Sequence, residues 1–167
     1  MKIIAIDPGN THSAYCIYDT QLETPIVSAD KVINNDILTM IHDEDPEHFA
    51  GYFLACEMIA SYGMPVGQTV FDTCVWVGRY VQIFNQFNPM HMIHLVYRKD
   101  VKMTLCGSMK AKDANIRQAL VDIFGDKGTK KNPGGLYGFH SDMYAALAVA
   151  VTFAKTYKPR PIIRRAV

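Results

Sequence analysis

Short apolar runs that end in polar turns dominate the first third of the chain. Lys2–Asp7 is almost wholly apolar and is followed by Pro8 and Gly9, a pattern typical of a central strand buried on both faces. His12–Asp19 is rich in residues that favour strands, and a third strand is expected over residues 26–32. Together these segments predict an antiparallel meander.

The rest of the chain alternates predicted strands with predicted helices. The strands cover residues 52–57 and 92–97, and the helices cover residues 34–42, 68–87, 112–124 and 140–156. The last helix is apolar nearly all round and should therefore be buried. This order predicts an α/β fold with a mixed central sheet, in which parallel strands follow the meander and helices flank the sheet.

The predicted helix over residues 68–87 carries two apolar stripes. One stripe holds Val70, Cys74, Val77, Val81 and Phe84, and the other holds Trp76, Tyr80, Ile83 and Phe87. A single stripe is enough to pack on a sheet, so the second is either additional core or a self-association surface. Gly78 would permit close approach of another helix in either case.

Length and composition indicate one globular domain, which we assign to residues 1–157, followed by a basic tail over residues 158–167 that we expect to be mobile. The 167 residues are 49% hydrophobic and 20% charged, which excludes a disordered chain. Neither a transmembrane helix nor a signal peptide is expected, and hence no membrane partner. Four widely spaced cysteines favour reduced thiols in a cytoplasmic compartment: Cys16, Cys56, Cys74 and Cys106.

The net charge of +1 conceals a strong asymmetry between the two parts of the chain. Residues 1–97 hold three basic and 11 acidic residues, whereas residues 98–167 hold 14 basic and five acidic residues. A basic region of this kind indicates a polyanionic partner, unless it is simply a solvated surface with a flexible tail.

Three carboxylates stand where an α/β fold would bring them together. Asp7 and Glu57 each end a strand predicted to be buried, and Asp142 lies in the first turn of the buried last helix. Strand ends and helix starts meet at one edge of such a sheet, where functional sites usually lie. No Lys or Arg stands beside these acids in the sequence, so clustered carboxylates at this edge predict bound Mg²⁺ or Mn²⁺.

A metal centre of this type suits phosphodiester hydrolysis, with the basic C-terminal half holding the phosphates. The turn that follows the first strand, DPGNT over residues 7–11, also fits the D-x-G-x-T phosphate loop of actin-like ATPases and sugar kinases. Those enzymes bind nucleotide between two domains, and 167 residues supply only one. We therefore expect no nucleotide cofactor.

Several short segments occur in a recognisable order over nearly the whole chain. They are IIAIDPG over residues 3–9, LACE over 54–57, Lys102, AKDANIR over 111–117, and HSD over 140–142 followed by AALAVAV over 145–151. In this order the chain resembles the RuvC-type Holliday junction resolvases of the RNase H-like nuclease superfamily, with residues 112–120 closer to phage-encoded members. The resemblance implies an RNase H-like fold.

The resemblance also implies roles for individual residues. Asp7, Glu57 and Asp142 would be metal ligands of a nuclease centre that uses Mg²⁺, with Mn²⁺ as a substitute. Lys102 would correspond to the basic catalytic residue at the scissile phosphate, with a solvated lysine as the alternative. Tyr62 would enter the junction centre or pack in its loop, and three residues would contact DNA phosphates: Lys110, Lys112 and Arg117.

The chain departs from the family pattern at the last helix, where two ligands usually stand three residues apart. Asp142 has Ala145 three residues later and Phe139 three residues earlier. The remaining ligand is either His140, from a position before the helix, or Asp113, from a neighbouring helix.

We therefore expect a homodimeric, metal-dependent endodeoxyribonuclease that resolves four-way DNA junctions by paired symmetric nicks, leaving 5′-phosphate and 3′-hydroxyl ends. The stripe of Trp76, Tyr80, Ile83 and Phe87 is the candidate dimer interface. The alternatives are a nuclease of the same fold that acts on other branched DNA or on RNA, and a junction-binding protein without catalysis.

Overall fold

A five-stranded mixed sheet organises the part of the chain described by the computed structural model, residues 1–43, 49–61 and 63–158. The strands are β1 (Lys2–Asp7), β2 (His12–Asp19), β3 (Ile26–Ile33), β4 (Phe53–Met58) and β5 (Ile93–Tyr97). Their order across the sheet is β3-β2-β1-β4-β5. The first three strands form the antiparallel meander, and β4 and β5 run parallel to β1, so the predicted fold class is confirmed.

Helices cover both faces of this sheet. They are α1 (Asn34–Asp43), α2 (Gln68–Phe84), α3 (Arg98–Cys106), α4 (Asp113–Phe124) and α5 (Met143–Thr156). One core lies between the sheet and α1 and α2, and the other lies between the sheet and α3, α4 and α5. Within the described residues, no helix is long and apolar enough to cross a membrane.

Alternation along β1 decides which face receives the functional side chains. Ile3 and Ala5 pack in the core beneath α5, whereas Ile4 and Ile6 pack in the core beneath α1 and α2. Because side chains alternate along a strand, Asp7 belongs to the α5 face. The same rule places Glu57 on that face, two residues after Ala55 of the same core.

Three helices differ from the sequence prediction. The nine-residue α3 was not predicted because its polar residues hide the apolar period, although Val101 is fully buried against the core. The last helix begins at Met143 and not at residue 140, because Ser141 has a φ of 41°, outside the range of a right-handed helix. Helix α2 ends at Phe84, three residues earlier than expected.

The core face of α2 combines residues from both predicted stripes. Its buried residues are Thr73, Val77, Tyr80 and Phe84. Because Tyr80 is fully buried within the protomer, assigning it to a dimer interface was wrong. The other three residues of that stripe, Trp76, Ile83 and Phe87, are partly buried.

A buried polar network explains why Tyr80 points inward. The Ser13 hydroxyl donates its hydrogen bond to Oδ1 of Asn34 at 2.7 Å, so the tyrosine is the donor in the contact between the Ser13 and Tyr80 hydroxyls at 3.1 Å. Asn34 in turn donates to the Gly9 carbonyl at 2.9 Å. The network therefore joins α2 and α1 to the turn between β1 and β2.

The four cysteines are free thiols. Cys16 and Cys56 are buried, while Cys74 and Cys106 are partly buried. This agrees with the expectation of reduced cysteines.

Candidate active site

The turn after β1 fixes the position of Asp7. A side chain at Gly9 would put its Cβ only 2.2 Å from the carbonyl oxygen of His12, so this close turn requires glycine. The Gly9 N–H donates to the Ser13 hydroxyl oxygen at 3.1 Å.

Asp7, Glu57 and Asp142 line one open cavity of about 540 Å³ at the carboxyl ends of β1 and β4. Asp7 and Glu57 come from adjacent parallel strands, and Asp142 immediately precedes α5. The other residues of the wall include Arg98, Asp113, Arg117, Ser141, Tyr144 and Ala145. The structure thus brings together the three carboxylates that the sequence singled out.

The entry into α5 is strained where it presents Asp142. Ser141 is the one non-glycine residue of the described chain with a positive φ, and it lines the same cavity. Residues held in rare backbone conformations often occur at functional sites. Here the strained residue directly precedes a carboxylate of the cavity.

Burial and charge repulsion oppose ionisation of the two strand carboxylates. Burial raises the pKa of Asp7 from 3.8 to about 7, with further increases from Glu57 and Asp142 and partial compensation from Arg98 and Lys31. Burial also raises the pKa of Glu57, while Arg98 lowers it. A positively charged group in the cavity would therefore stabilise the ionised forms of these carboxylates.

Two basic residues that were not predicted to belong to the site form ion pairs with carboxylates of the cavity. An Nη1 atom of Arg98 lies 3.5 Å from Oε2 of Glu57, and the same guanidinium forms an ion pair with Asp113. The Lys31 Nζ atom lies 2.6 Å from Oδ2 of Asp142. The expectation that no Lys or Arg accompanies these acids was wrong, because Lys31 comes from β3 and Arg98 from the start of α3.

The position of Arg98 in this arrangement could have been predicted from the sequence. Arg98 immediately follows an apolar strand, β5, just as Asp7 and Glu57 end theirs, so the rule that strand ends converge applies to it too. Lys31 lies in line with Asp7 across the meander, with Ala14 between them. That alignment depends on strand register, which a single sequence does not specify.

The two candidates for a further ligand occupy different places. Asp113, at the start of α4, lines the carboxylate cavity. His140 lines a separate surface cavity of about 410 Å³ beside β3 and does not line the carboxylate cavity. Ala145, three residues after Asp142, also lines the carboxylate cavity, and its side chain offers no donor atom.

The predicted DNA contacts are spread around the site. Arg117 lines the cavity, whereas Lys102 lies one helical turn after Arg98 on α3 and does not line it. Lys110 and Lys112 are exposed in the segment between α3 and α4. Tyr62 lies outside the described residues.

Comparison with solved structures identifies the architecture. The RuvC structure of Thermus thermophilus superimposes with a TM-score of 0.67 at 18% identity, covering 92% of this chain and 93% of that chain. A second T. thermophilus RuvC, in complex with a Holliday junction substrate, gives a TM-score of 0.61 at the same identity and coverage. No protein-family model matches, and no curated protein shows significant sequence similarity.

These matches define an RNase H-like α/β protein. The chain has the RuvC fold, so the resemblance to RuvC-type proteins is confirmed at the level of the fold. The closer likeness to phage-encoded members stays a prediction.

Removing the Asp7 carboxylate is expected to stabilise the metal-free protein at high pH. The unfolded chain releases this proton near pH 3.8 and the folded protein near pH 7, so the unfolded state binds fewer protons between these values and the unfolding free energy falls as pH rises. Asp7→Asn should therefore be more stable than the wild type at pH 8, by up to about 4 kcal/mol, with the difference largely lost at pH 4.

Urea denaturation with a chelator present measures this difference. Asp122→Asn, on the exposed face of α4, makes the same charge change away from the cavity and should show no such dependence on pH. An Asp7→Asn protein less stable than the wild type at pH 8 would contradict the assigned effects of burial and charge repulsion on Asp7.

Removing Arg98 is expected to have the opposite effect. Arg98→Met leaves Glu57 buried without its cation and should lower the unfolding free energy by about 1–3 kcal/mol at pH 8, less than for a fully buried pair because Arg98 is partly exposed. The loss should shrink as the pH falls, because burial raises the pKa of Glu57 and so favours its neutral form, which needs no cation. Lys99→Met, at the next position of α3, is the matched control, and an equal loss in both variants would refute the specific role of Arg98.

Proposed function

We propose that this protein is a metal-dependent endonuclease that cuts four-way DNA junctions. The observation that carries the proposal is the meeting of Asp7, Glu57 and Asp142 in one open cavity of a RuvC fold. A T. thermophilus RuvC with this fold was solved with a Holliday junction substrate. The basic C-terminal part of the chain supplies the charge that a DNA backbone requires.

The side chains of the cavity fit a divalent cation. Among the described residues, the buried Oε2 atom of Glu57 has no hydrogen-bond partner. Carboxylate oxygens are the donors that Mg²⁺ and Mn²⁺ prefer. Asp7, Glu57 and Asp142 would hold the cation, with Asp113 as the better placed candidate for a further ligand. When bound, Mg²⁺ supplies Lewis-acid chemistry, activating water and stabilising charge on the leaving oxygen.

Metal binding requires some rearrangement of these side chains. In the described residues, no three His, Cys, Asp or Glu side chains are grouped closely enough to hold a metal ion. Instead, Glu57 is paired with Arg98, and Asp142 is paired with Lys31. We infer that these ion pairs open when the carboxylates bind a cation.

We assign to Arg98, which lines the cavity, the role at the scissile phosphate that the resemblance implied for Lys102. Once released from Glu57 and Asp113, its guanidinium lies beside the carboxylates and can hold a phosphodiester through paired N–H donors. In the proposed reaction the oxygen of water bonds to phosphorus as the bond from phosphorus to the 3′ oxygen breaks. The products are a 5′-phosphate and a 3′-hydroxyl.

Basic residues outside the cavity would hold the flanking DNA. Lys110 and Lys112 are exposed just before α4, whose first residue, Asp113, lines the cavity. Phosphate contacts of this type position DNA without reading its sequence. Selectivity for a junction would then depend on its shape.

Cutting two equivalent strands of a junction requires two sites, and we propose that α2 joins two protomers. Phe71 and Val75 are 56% and 62% exposed on this helix, which lies on the face of the sheet opposite the carboxylates. Gly78 follows on the same side of α2. Outside α2 itself, no atom of the described residues lies within 4 Å of the position that a Cβ at Gly78 would take. The exposed apolar residues, and not Tyr80, are therefore the candidates for this interface.

The nuclease proposal predicts paired symmetric nicks in a labelled four-way junction with Mg²⁺ and none in linear duplex of the same sequence. Asp7→Asn should reduce nicking by more than about 100-fold, because it removes a predicted ligand, whereas Asp122→Asn should cut normally. Tight junction binding without nicking in Mg²⁺ or Mn²⁺ would refute catalysis and favour a junction-binding protein. Preferred cutting of flaps, splayed DNA or RNA would refute the junction substrate.

The dimer proposal predicts that Val75→Glu converts a dimer into a monomer. Burying a charged side chain in an apolar contact is costly, while the same residue is tolerated at an exposed position of the monomer. Sedimentation velocity distinguishes the two states, and Leu22→Glu in the exposed loop after β2 serves as the control. A wild-type protein that is monomeric, with and without junction DNA, would contradict the proposal.

A further inference from the structure

Tyr144 is an unusual member of the cavity wall. It is the second residue of α5, only 6% exposed, and its hydroxyl is buried without a hydrogen-bond partner in the described part of the protein. Most buried hydroxyls find a partner, because leaving one unpaired is unfavourable. Because Tyr144 lines the cavity wall, a ligand that reaches this hydroxyl would be able to accept its unused hydrogen bond.

Two cations lie against the ring of the same tyrosine. The guanidinium carbon of Arg117 is 4.7 Å from the ring centroid, and the Nζ atom of Lys127 is 5.8 Å from it. Neither forms an ion pair with any described residue, in contrast to Arg98 and Lys31. Within the described residues, the site therefore places two cations that have no ion-pair partner beside one hydroxyl that has no hydrogen-bond partner.

A fixed turn holds the backbone of Lys127. Its carbonyl accepts a hydrogen bond from the Gly134 N–H at 2.9 Å, and the next residue, Gly128, donates to Oδ1 of Asp126 at 2.8 Å. A Cβ at Gly134 would lie 2.2 Å from the Asp126 carbonyl oxygen, so the turn depends on glycine. A constrained loop thus holds Lys127 against the ring of Tyr144.

We propose that Arg117, Lys127 and the Tyr144 hydroxyl form a subsite for a second backbone phosphate of DNA, next to the phosphate at the carboxylates. The proposal rests on the proposed function for the identity of the ligand as DNA. A phosphodiester matches the site because its oxygens accept from the hydroxyl and from Arg117, and its charge is balanced by the two cations. A purely structural role would need the tyrosine ring for cation–π contact but not its hydroxyl.

Tyr144→Phe separates these two roles because it removes only the hydroxyl. Junction binding, measured by fluorescence anisotropy in EDTA to prevent cutting, should weaken about 5–20-fold without a change in its salt dependence, while the melting temperature stays equal or rises. Arg117→Met and Lys127→Met should each weaken binding and lower the slope of log K against log salt by about one.

Lys155→Met is the matched control for these variants. Lys155 is exposed near the other end of α5, roughly 16 Å along the helix from Tyr144, so its removal should leave affinity and salt slope close to those of the wild type. Unchanged junction affinity in Tyr144→Phe, or a salt slope in Lys127→Met equal to that of Lys155→Met, would overturn the subsite.

A small probe keeps this test independent of junction recognition. Thymidine 3′,5′-bisphosphate added to the metal-free protein should shift the NMR signals of Arg117 and Lys127, and Tyr144→Phe should weaken that binding. If the wild type cuts junctions but the variants bind both probes normally, the subsite is wrong and the nuclease stands. If the wild type cuts no junction but binds the bisphosphate through Tyr144, the nuclease is wrong and the phosphate site stands.

Discussion

The burial of several carboxylates at one edge of the sheet is the constraint on which the rest of the site depends. Asp7 and Glu57 end adjacent parallel strands on the same face, and burial together with their mutual repulsion raises the pKa of Asp7 to about 7. The two edge strands position compensating cations, since Lys31 lies on β3 and Arg98 follows β5. These internal cations balance part of the negative charge of the carboxylates, and a bound divalent ion would balance more of it. The proposed nuclease therefore exchanges one set of counter-charges for another.

The sequence predicted the framework because the framework is governed by local patterns. Apolar runs ended by Pro8-Gly9 and by Glu57 identify strands buried on both faces, and the nearly all-apolar segment predicted over residues 140–156 identifies a helix buried against them. From these elements the meander, the later strands and the convergence of three carboxylates followed. The polar stretch that forms α3 gave no comparable signal, since one buried valine and the core around it hold it in place.

What the sequence did not predict depends on pairing between distant segments. The ion pair between Lys31 and Asp142 follows from strand register in the meander, and the inward position of Tyr80 follows from its bond to Ser13. The same limitation applies to Tyr144, whose place beside Arg117 and Lys127 results from packing among α4, α5 and the loop between them. In each case a polar side chain belongs to the site or to the core because of a partner that lies far away in the chain.

The location of bound Mn²⁺ tests the exchange of counter-charges most directly. Anomalous diffraction from crystals soaked in Mn²⁺ should show the ion against Asp7, Glu57 and Asp142, with Arg98 displaced from Glu57, and crystals of Asp7→Asn should lose the signal. Mn²⁺ bound elsewhere, or bound equally by Asp7→Asn, would contradict the account. So would a cavity without Mn²⁺ in which Arg98 stays paired with Glu57 at a Mn²⁺ concentration that supports nicking.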